Sequence, residues 1–172
     1  AVILSSGSYR GEEPPLAKIT AVTTGKIVDM DFHDSMNMGA AMAMAALDTI
    51  VRNFRDLGVD ETHYDQIITG DLGTVGRRLL LDYLMQAGYR IESRYMDCGI
   101  EMFSPEEQDT HAGGSGCGCS AAVLCGYILP KIRSGEWKRV LFLPTGALLS
   151  TVSFNEGKSV PGIAHAVVLE TG

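Results

Sequence analysis

The chain of 172 residues is long enough for one α/β domain or for one lobe of a larger one. Its 45% hydrophobic and 20% charged residues exclude a disordered tail, and no apolar run reaches the roughly 18 to 20 residues that a membrane span needs. A formal charge of −7 repels phosphate backbones, so we expect no nucleic-acid partner.

The chain starts and ends on similar apolar segments. Residues 1–4 have the composition of a buried strand, and residues 166–172 repeat the pattern of residues 1–7 with conservative substitutions. We therefore predict that residues 1–7 are the last strand of a preceding structural repeat and that residues 17–172 form one further repeat.

The first long elements are a strand and a helix. Residues 18–30 alternate in polarity and are rich in Ile, Val and Thr, which predicts one long strand. Residues 36–57 have helical periodicity, and residues 39–46 are apolar on every side, so we expect the N-terminal half of this helix in the interior. Gly58 is predicted to terminate this helix. In the same way, Gly88 terminates a second helix at residues 75–87, and Gly135 terminates a third that ends near Ser134.

Further strands alternate with these helices. Short apolar strands are predicted at residues 64–71, 138–143 and 162–170. The alternation predicts an α/β fold with a mixed, mostly parallel sheet and helices on its faces. Ligands of such sheets bind at the carboxyl ends of the strands, which directs attention to residues 69–74.

The most unusual segment is rich in glycine and cysteine. Residues 111–122 open the third helix with almost only tiny side chains, although glycine in a helix costs about 1 kcal/mol relative to alanine. One interpretation is that free N–H groups of residues 114–118, at the positive end of the helix, bind an anion such as a carboxylate. The other interpretation is that two buried helices cross there in tight contact, and both remain open.

The chain has four cysteines: Cys98, Cys117, Cys119 and Cys125. Three of them lie within nine positions, where regular disulfides are awkward, so a reducing compartment fits better. A zinc site would need His111 or His165 as a further ligand, and we favour small buried thiols without a metal. The remaining alternative is a nucleophilic Cys117 activated by the helix start, with His111 as its base.

Three further polar residues are singled out by their neighbours. Asp71 and Asp97 adjoin strand-like stretches and are candidates for lining a cleft. His165 interrupts an apolar run, so we expect a hydrogen-bonded histidine in the core.

Five segments together resemble the stage V sporulation protein AD family. They are, in chain order, residues 69–76 (TGDLGTVG), 97–99 (DCG), 112–121 (AGGSGCGCSA), 145–150 (TGALLS) and 163–165 (IAH). The similarity spans about residues 1–172. Because that family has a thiolase-like fold with two similar halves, the resemblance implies a thiolase-like layered sandwich. This chain would be its C-terminal half, one lobe with a buried Gly/Ala/Cys-rich helix.

The resemblance also implies that catalytic groups have been lost. In condensing relatives such as ketoacyl-acyl-carrier-protein synthase III, this half supplies a histidine and an asparagine. Their positions fall here at Gly70 or Asp71 and near Ser115, and neither glycine nor serine replaces the lost group. We therefore expect no catalytic residue, no metal and no cofactor. The alternative is an acyltransferase of the thiolase or ketoacyl synthase III type that uses a cysteine nucleophile.

For the family, the resemblance implies that dipicolinic acid, with or without calcium, is taken into the developing spore and released in germination. It also implies other stage V sporulation A proteins as partners and a peripheral location at the inner membrane of the spore. The expected ligand-binding residues are Gly70, Asp71, Gly114, Ser115, Gly116 and Cys117.

A last expectation concerns the missing half. The family buries its central helices between two halves, so one half alone would expose residues 40–46 and 116–124. We therefore expect this chain to contact the missing N-terminal half or to form a homo-oligomer.

Overall fold

The computed structural model describes residues 2–6 and 14–172. Seven strands are formed: β1 (Lys18–Thr23), β2 (Gln66–Thr69), β3 (Tyr95–Asp97), β4 (Arg139–Leu143), β5 (Thr145–Ala147), β6 (Gly162–Ala164) and β7 (Ala166–Glu170). Five of them make one sheet in the order β1-β7-β4-β2-β3, and β5 pairs with β6 in a separate antiparallel hairpin.

The main sheet is mixed, as predicted. β4 pairs in parallel with β2, and β2 pairs in parallel with β3. β7 lies antiparallel to both β4 and β1, so it alone among the five strands runs in the opposite direction. The carboxyl ends of β2, β3 and β4 therefore meet at one edge of the sheet, where ligands of α/β proteins bind.

The helices lie between these strands in sequence: α1 (Met38–Leu57), α2 (Gly73–Gln86), α3 (Cys98–Glu101), α4 (Pro105–Gln108), α5 (Cys119–Val123), α6 (Leu129–Arg133) and α7 (Thr151–Asn155). Gly58, Gly88 and Gly135 follow α1, α2 and α6 with φ of 66°, 93° and 77°, the left-handed conformation that terminates helices. All three predicted helix stops are thus confirmed.

The third long helix is interrupted. A π-helical turn (Leu124–Ile128) joins α5 to α6. Pro130 follows this turn and has no N–H group to donate to the carbonyl of Gly126, so the regular α-helical hydrogen bonding is broken at that place. Ile128 and Ile132 are buried, whereas Cys125 and Gly126 are exposed. The helix predicted to be buried therefore buries only one side.

Helices cover both faces of the sheet. Along β4, Leu141 and Leu143 pack into the core formed with α1 and α2, while Val140 and Phe142 pack on the other face against the α5 to α6 segment. This alternation is that of a strand buried on both sides. The described residues thus form three layers, helix, sheet and helix, and the predicted α/β class is confirmed.

The N-terminal half of α1 is buried, as predicted. Ala43, Ala45 and Ala46 have no exposed surface. α1 crosses α2 closely, since a methyl group on Gly39 would lie 2.1 Å from the carbonyl oxygen of Leu72. The expectation that one half by itself would expose residues 40–46 was wrong, because α2 and the sheet of the same half already cover them.

Several predicted strand bounds were wrong. The strand at 18–30 ends at Thr23, and Val28 makes only an isolated bridge to Gly162. The predicted strand at 162–170 splits at His165 into β6 and β7, which pair in different sheets. The short strand β3 was missed because three residues carry too little periodicity.

The strand predicted for residues 1–7 is not formed where the structure describes it. Residues 2–6 are in neither a helix nor a strand, and the side chain of Ile3 is 94% exposed. A strand needs a neighbour to pair its backbone groups, and none of the described residues provides one here. Residue 1 and residues 7–13 lie outside the described residues. Among the helices of the described part, none combines the length and hydropathy required to cross a membrane.

Candidate functional site

The polar cluster of interest lies at the carboxyl ends of β2 and β3. Thr69 ends β2, Asp97 ends β3, and the turn at residues 70–72 leads from β2 into α2. Gly70 allows the close packing there, since a methyl group on it would lie 2.7 Å from the backbone nitrogen of Thr145 and 2.6 Å from Oγ of Ser120. This turn lies at the edge of the sheet that the strand pattern predicted.

Asp71 connects three segments of the chain. Its Oδ1 accepts a hydrogen bond from Oγ1 of Thr145 at 2.9 Å, on β5. Its Oδ2 accepts from Oγ of Ser115 at 2.9 Å and from the N–H of Gly116 at 3.1 Å. The half-buried carboxylate therefore joins the end of β2 to β5 and to the glycine-rich loop. Two of the predicted site segments are brought together by this contact, with Thr145 as a member that the prediction omitted.

Asp97 is the buried carboxylate of the cluster. It is 1% exposed and accepts three hydrogen bonds, from Oγ1 of Thr69 at 2.6 Å and from the N–H groups of Leu72 at 2.9 Å and Gly73 at 3.0 Å. Burial raises the pKa of Asp97 above its ordinary value, although these three bonds favour the ionised form. Asp97 ties the end of β3 to the turn that carries Asp71.

The glycine-rich loop satisfies both interpretations in part. A methyl group on Gly114 would lie 2.4 Å from the ring of Phe103, and one on Gly113 would lie 2.7 Å from the carbonyl oxygen of Gly99, so the first part of the loop is tightly packed. Around Gly116 and Gly118 a methyl group would meet nothing within 4 Å. Close packing therefore explains Gly113 and Gly114, whereas there is open space beside Gly116 and Gly118.

The N–H groups of this loop differ in their partners. Gly114 donates to the carbonyl oxygen of Gly99 at 2.7 Å, and Gly116 donates to Asp71. The N–H groups of Ser115, Cys117 and Gly118 have no acceptor within residues 2–6 and 14–172. The helix begins at Cys119, later than predicted, because φ of 121° at Gly116 is incompatible with a helix.

The four cysteines are free thiols in different surroundings. Cys119 is buried and donates to the carbonyl oxygen of Gly70 at 3.6 Å, and desolvation by burial raises its pKa to about 11. Burial also raises the pKa of Cys98. Cys117 is exposed at the end of the loop. The buried thiols are therefore poor sources of a thiolate.

His111 and His165, the two histidines considered as a base or as metal ligands, are both exposed. His111 lies with its Nδ1 3.9 Å from Asp109 and makes no hydrogen bond to Cys117 among the described residues. The prediction of a core histidine at position 165 was wrong, because His165 points outward at the break between β6 and β7. Its Nδ1 accepts a hydrogen bond from the N–H of Gly25 at 3.1 Å.

The cluster has hydroxyls, two carboxylates and backbone N–H groups as its functional groups. Within the described ranges, no Lys, Arg or His side chain bonds to Asp71 or Asp97, and no set of three His, Cys, Asp or Glu side chains is arranged to bind a metal. Two surface hollows, beside Asp60 and beside Arg133, do not include a residue of this cluster. The arrangement is that of a shallow, hydrogen-bonding site.

The expected ligand-binding residues did not include four members of the cluster: Thr69, Asp97, Ser120 and Thr145. Thr69 lies in the region 69–74 that the strand pattern indicated, and Asp97 is the residue predicted to line a cleft. Ser120 and Thr145 lie in the motifs at residues 112–121 and 145–150, and these motifs were the signal that could have identified them.

A family model and a curated relative indicate the same family. A model of the stage V sporulation protein AD family matches residues 2–170. Stage V sporulation protein AD of Bacillus subtilis (strain 168) is 42% identical over 159 residues, which cover 92% of this chain and 47% of that protein. The chain thus spans about half the length of this curated relative.

Among solved structures, a ketosynthase (ApeO) from Xenorhabdus doucetiae, in complex with its chain length factor (ApeC), matches with a TM-score of 0.45. It is 11% identical, and the match covers 91% of this chain and 79% of that chain.

Proposed function

This chain belongs to the stage V sporulation protein AD family, and from that premise we propose that it binds dipicolinic acid without transforming it. In this proposal the protein takes part in the uptake of dipicolinate into the developing spore and in its release during germination. The ligand site comprises the turn at Gly70 and Asp71 and the loop at residues 114–117.

One observation carries the proposal: the glycine-rich loop already binds a carboxylate. The carboxylate of Asp71 accepts hydrogen bonds from the hydroxyl of Ser115 and the N–H of Gly116. Beside them, the exposed N–H groups of Cys117 and Gly118 have no acceptor among the described residues. Dipicolinate is a planar pyridine with two carboxylates, and oriented N–H donors of this kind form charge-assisted hydrogen bonds to a carboxylate.

The surroundings of the site support binding rather than catalysis. Acyl transfer requires a nucleophile, a base within hydrogen-bond distance and donors for an oxyanion. The thiols of Cys98 and Cys119 are buried and have raised pKa values. The imidazole of His111 makes no hydrogen bond to this cluster among the described residues.

The proposal is tested by calorimetric titration of the full-length protein with dipicolinate. We expect saturable binding, and we expect Ser115→Ala to weaken it about tenfold, because it removes the hydrogen bond to the Asp71 carboxylate that holds the loop beside the turn, and a bond to a charged group contributes roughly 1.5 to 3 kcal/mol. Ser134→Ala is the matched control, because that exposed serine lies beyond the far end of α6. Gly116 is a poor probe, since its φ of 121° makes any side chain there strained.

Two results would contradict the proposal. Absence of dipicolinate binding by the wild-type protein would reject the ligand. Turnover of a thioester by the intact protein, lost in Cys117→Ala, would instead establish the acyltransferase alternative with that exposed thiol as nucleophile.

We extend the proposal to the partners of the protein. Other stage V sporulation A proteins, a location at the inner membrane of the spore and calcium as a companion of the ligand all follow from the family. Exposed Val152 and Phe154 on α7 support a contact with another protein, because clustered exposed apolar side chains mark interaction sites.

A further inference from the structure

Asp97 occupies a special position relative to the proposed ligand site. Its two oxygens bind the hydroxyl of Thr69 and the N–H groups of Leu72 and Gly73, on both sides of the turn that carries Asp71. Gly73 has φ of 64°, a left-handed conformation that glycine adopts without strain. The turn is bound to the end of the neighbouring strand through one buried carboxylate.

A hydrogen-bond chain extends from this carboxylate. Oγ1 of Thr69 lies 2.6 Å from Oδ2 of Asp97 and 2.5 Å from the hydroxyl oxygen of Tyr95. When Asp97 is ionised, Thr69 donates to it and Tyr95 donates to Thr69. When Asp97 is protonated, its own O–H donates to Thr69 and the direction of the chain reverses. Both protonation states of Asp97 are therefore compatible with the same heavy-atom positions.

The protonated state differs in how strongly it binds the turn. Hydrogen bonds from N–H groups to an ionised carboxylate are about twice as strong as those to a neutral acceptor. Protonation of Asp97 thus weakens the bonds from Leu72 and Gly73 while the fold remains intact.

The electrostatic surroundings of Asp97 raise its pKa. The titratable groups that face Asp97 are Asp71 from the turn, Tyr95 from β3, Cys98 from α3 and Cys119 from α5. Arg77 of α2 lies 5.9 Å from the centre of the Tyr95 ring and makes no ion pair with Asp97. Burial, and then the negative charge of Asp71, raise the pKa of Asp97 against the effect of its hydrogen bonds.

We propose that Asp97 is a proton-controlled positioning residue of the ligand site, whose ionised form fixes the turn that carries Gly70 and Asp71. Its protonation loosens the turn and lowers the affinity for dipicolinate. The inference rests on the proposed function for its ligand.

Loosening of the turn is distinct from unfolding. Because the folded pKa of Asp97 lies above the unfolded value near 3.8, its protonation stabilises the folded chain. That contribution is complete below the unfolded pKa and is lost as the pH rises through the folded pKa. As the pH falls through the folded pKa of Asp97, affinity for the ligand therefore falls while the contribution of Asp97 to global stability increases.

The first arm of the test needs no ligand. The amide ¹⁵N shifts and hydrogen-exchange rates of Leu72 and Gly73 are followed in the full-length protein from about pH 4 to about pH 7. We expect both amides to titrate together in the wild type and, once the base-catalysed intrinsic exchange rate at each pH is divided out, to be less protected from exchange at low pH. The titration is absent in Asp97→Asn and unchanged in Asp82→Asn, a matched control at an exposed position of α2.

The second arm measures dipicolinate affinity over the same range. We expect Asp97→Asn to bind about tenfold more weakly than the wild type at neutral pH, because the charge-assisted bonds from the N–H groups of Leu72 and Gly73 become weaker bonds to a neutral acceptor. The ratio of the two affinities falls towards one at low pH, with the midpoint seen for the amides. Titration of the ligand itself cancels in this ratio.

The two arms separate the two proposals. Dipicolinate binding by the wild type without titration of the Leu72 and Gly73 amides overturns the role of Asp97 alone. Titrating amides with no dipicolinate binding at any pH overturn the proposed function and, with it, the positioning role. The wild-type measurements decide the matter even where Asp97→Asn does not fold.

Discussion

At Gly70 the chain has no space for a β-carbon. A methyl group there would lie 2.6 Å from Oγ of Ser120 and 2.7 Å from the backbone nitrogen of Thr145. Only the serine side chain can rotate away, because the backbone nitrogen is fixed at the start of β5. The absence of a side chain after β2 is thus required by packing, whatever the chemistry of the site.

We expect Gly70→Ala to lower the free energy of unfolding by about 2 kcal/mol, the usual cost of overpacking. Gly118→Ala is the control, since its methyl group meets nothing within 4 Å and its φ of −95° suits any residue. The control is expected to change stability by about 0.5 kcal/mol or less. Urea denaturation of both variants measures the difference, and equal stabilities would contradict the packing argument.

At the scale of the elements, α1 and α2 cross at two glycines. A methyl group on Gly76 would lie 2.6 Å from the carbonyl oxygen of Gly39, so the backbones approach as closely as two helices can. Small residues allow tight crossings, and such a crossing was one of the two interpretations of the glycine- and cysteine-rich segment. The structure shows a tight crossing between α1 and α2.

We expect Gly76→Ala to destabilise the protein by about 1 kcal/mol or more, because overpacking outweighs the gain in helix propensity. Gly126→Ala provides the contrast, since Gly126 faces open space in the π-helical turn. There the gain from replacing a helical glycine is unopposed, so stability rises by up to about 1 kcal/mol. Urea denaturation of both variants measures whether each raises or lowers the free energy of unfolding. A stabilising Gly76→Ala would show that the two helices separate easily.

At the scale of the molecule, several large apolar side chains remain exposed. Val152 and Phe154 on α7 are 63% and 57% exposed, and Leu148 and Leu149 just before them are exposed as well. Four such side chains within seven positions exceed what a monomeric surface normally presents. The expected contact with another half or another copy is consistent with this surface.

We expect the 172-residue chain to self-associate, with an apparent mass that rises with concentration in sedimentation velocity. The double variant Val152→Ser, Phe154→Ser is expected to weaken the association about tenfold or more, because each side chain contributes on the order of 1 kcal/mol when buried. Leu57→Ser, at an isolated exposed leucine ending α1, is the control. A chain that stays monomeric at all concentrations would contradict the expectation.

The sequence by itself determined the local features of this protein. Periodicity and glycine stops predicted α1, α2 and the end of α6, since these signals depend on residues a few positions apart. The strands β2 and β4 were predicted for the same reason. The motifs at residues 69–76 and 112–121 also carried the family resemblance, which the comparisons confirmed.

Only the tertiary structure decided which groups meet. Asp97 bonds to Thr69 across 28 positions, and Asp71 bonds to Ser115 across 44 positions and to Thr145 across 74. Such contacts depend on the order of the strands in the sheet, which the alternation of residues within one strand does not specify. The same holds for the division of residues 162–170 between two sheets, because the choice of partner strand is made by the whole fold.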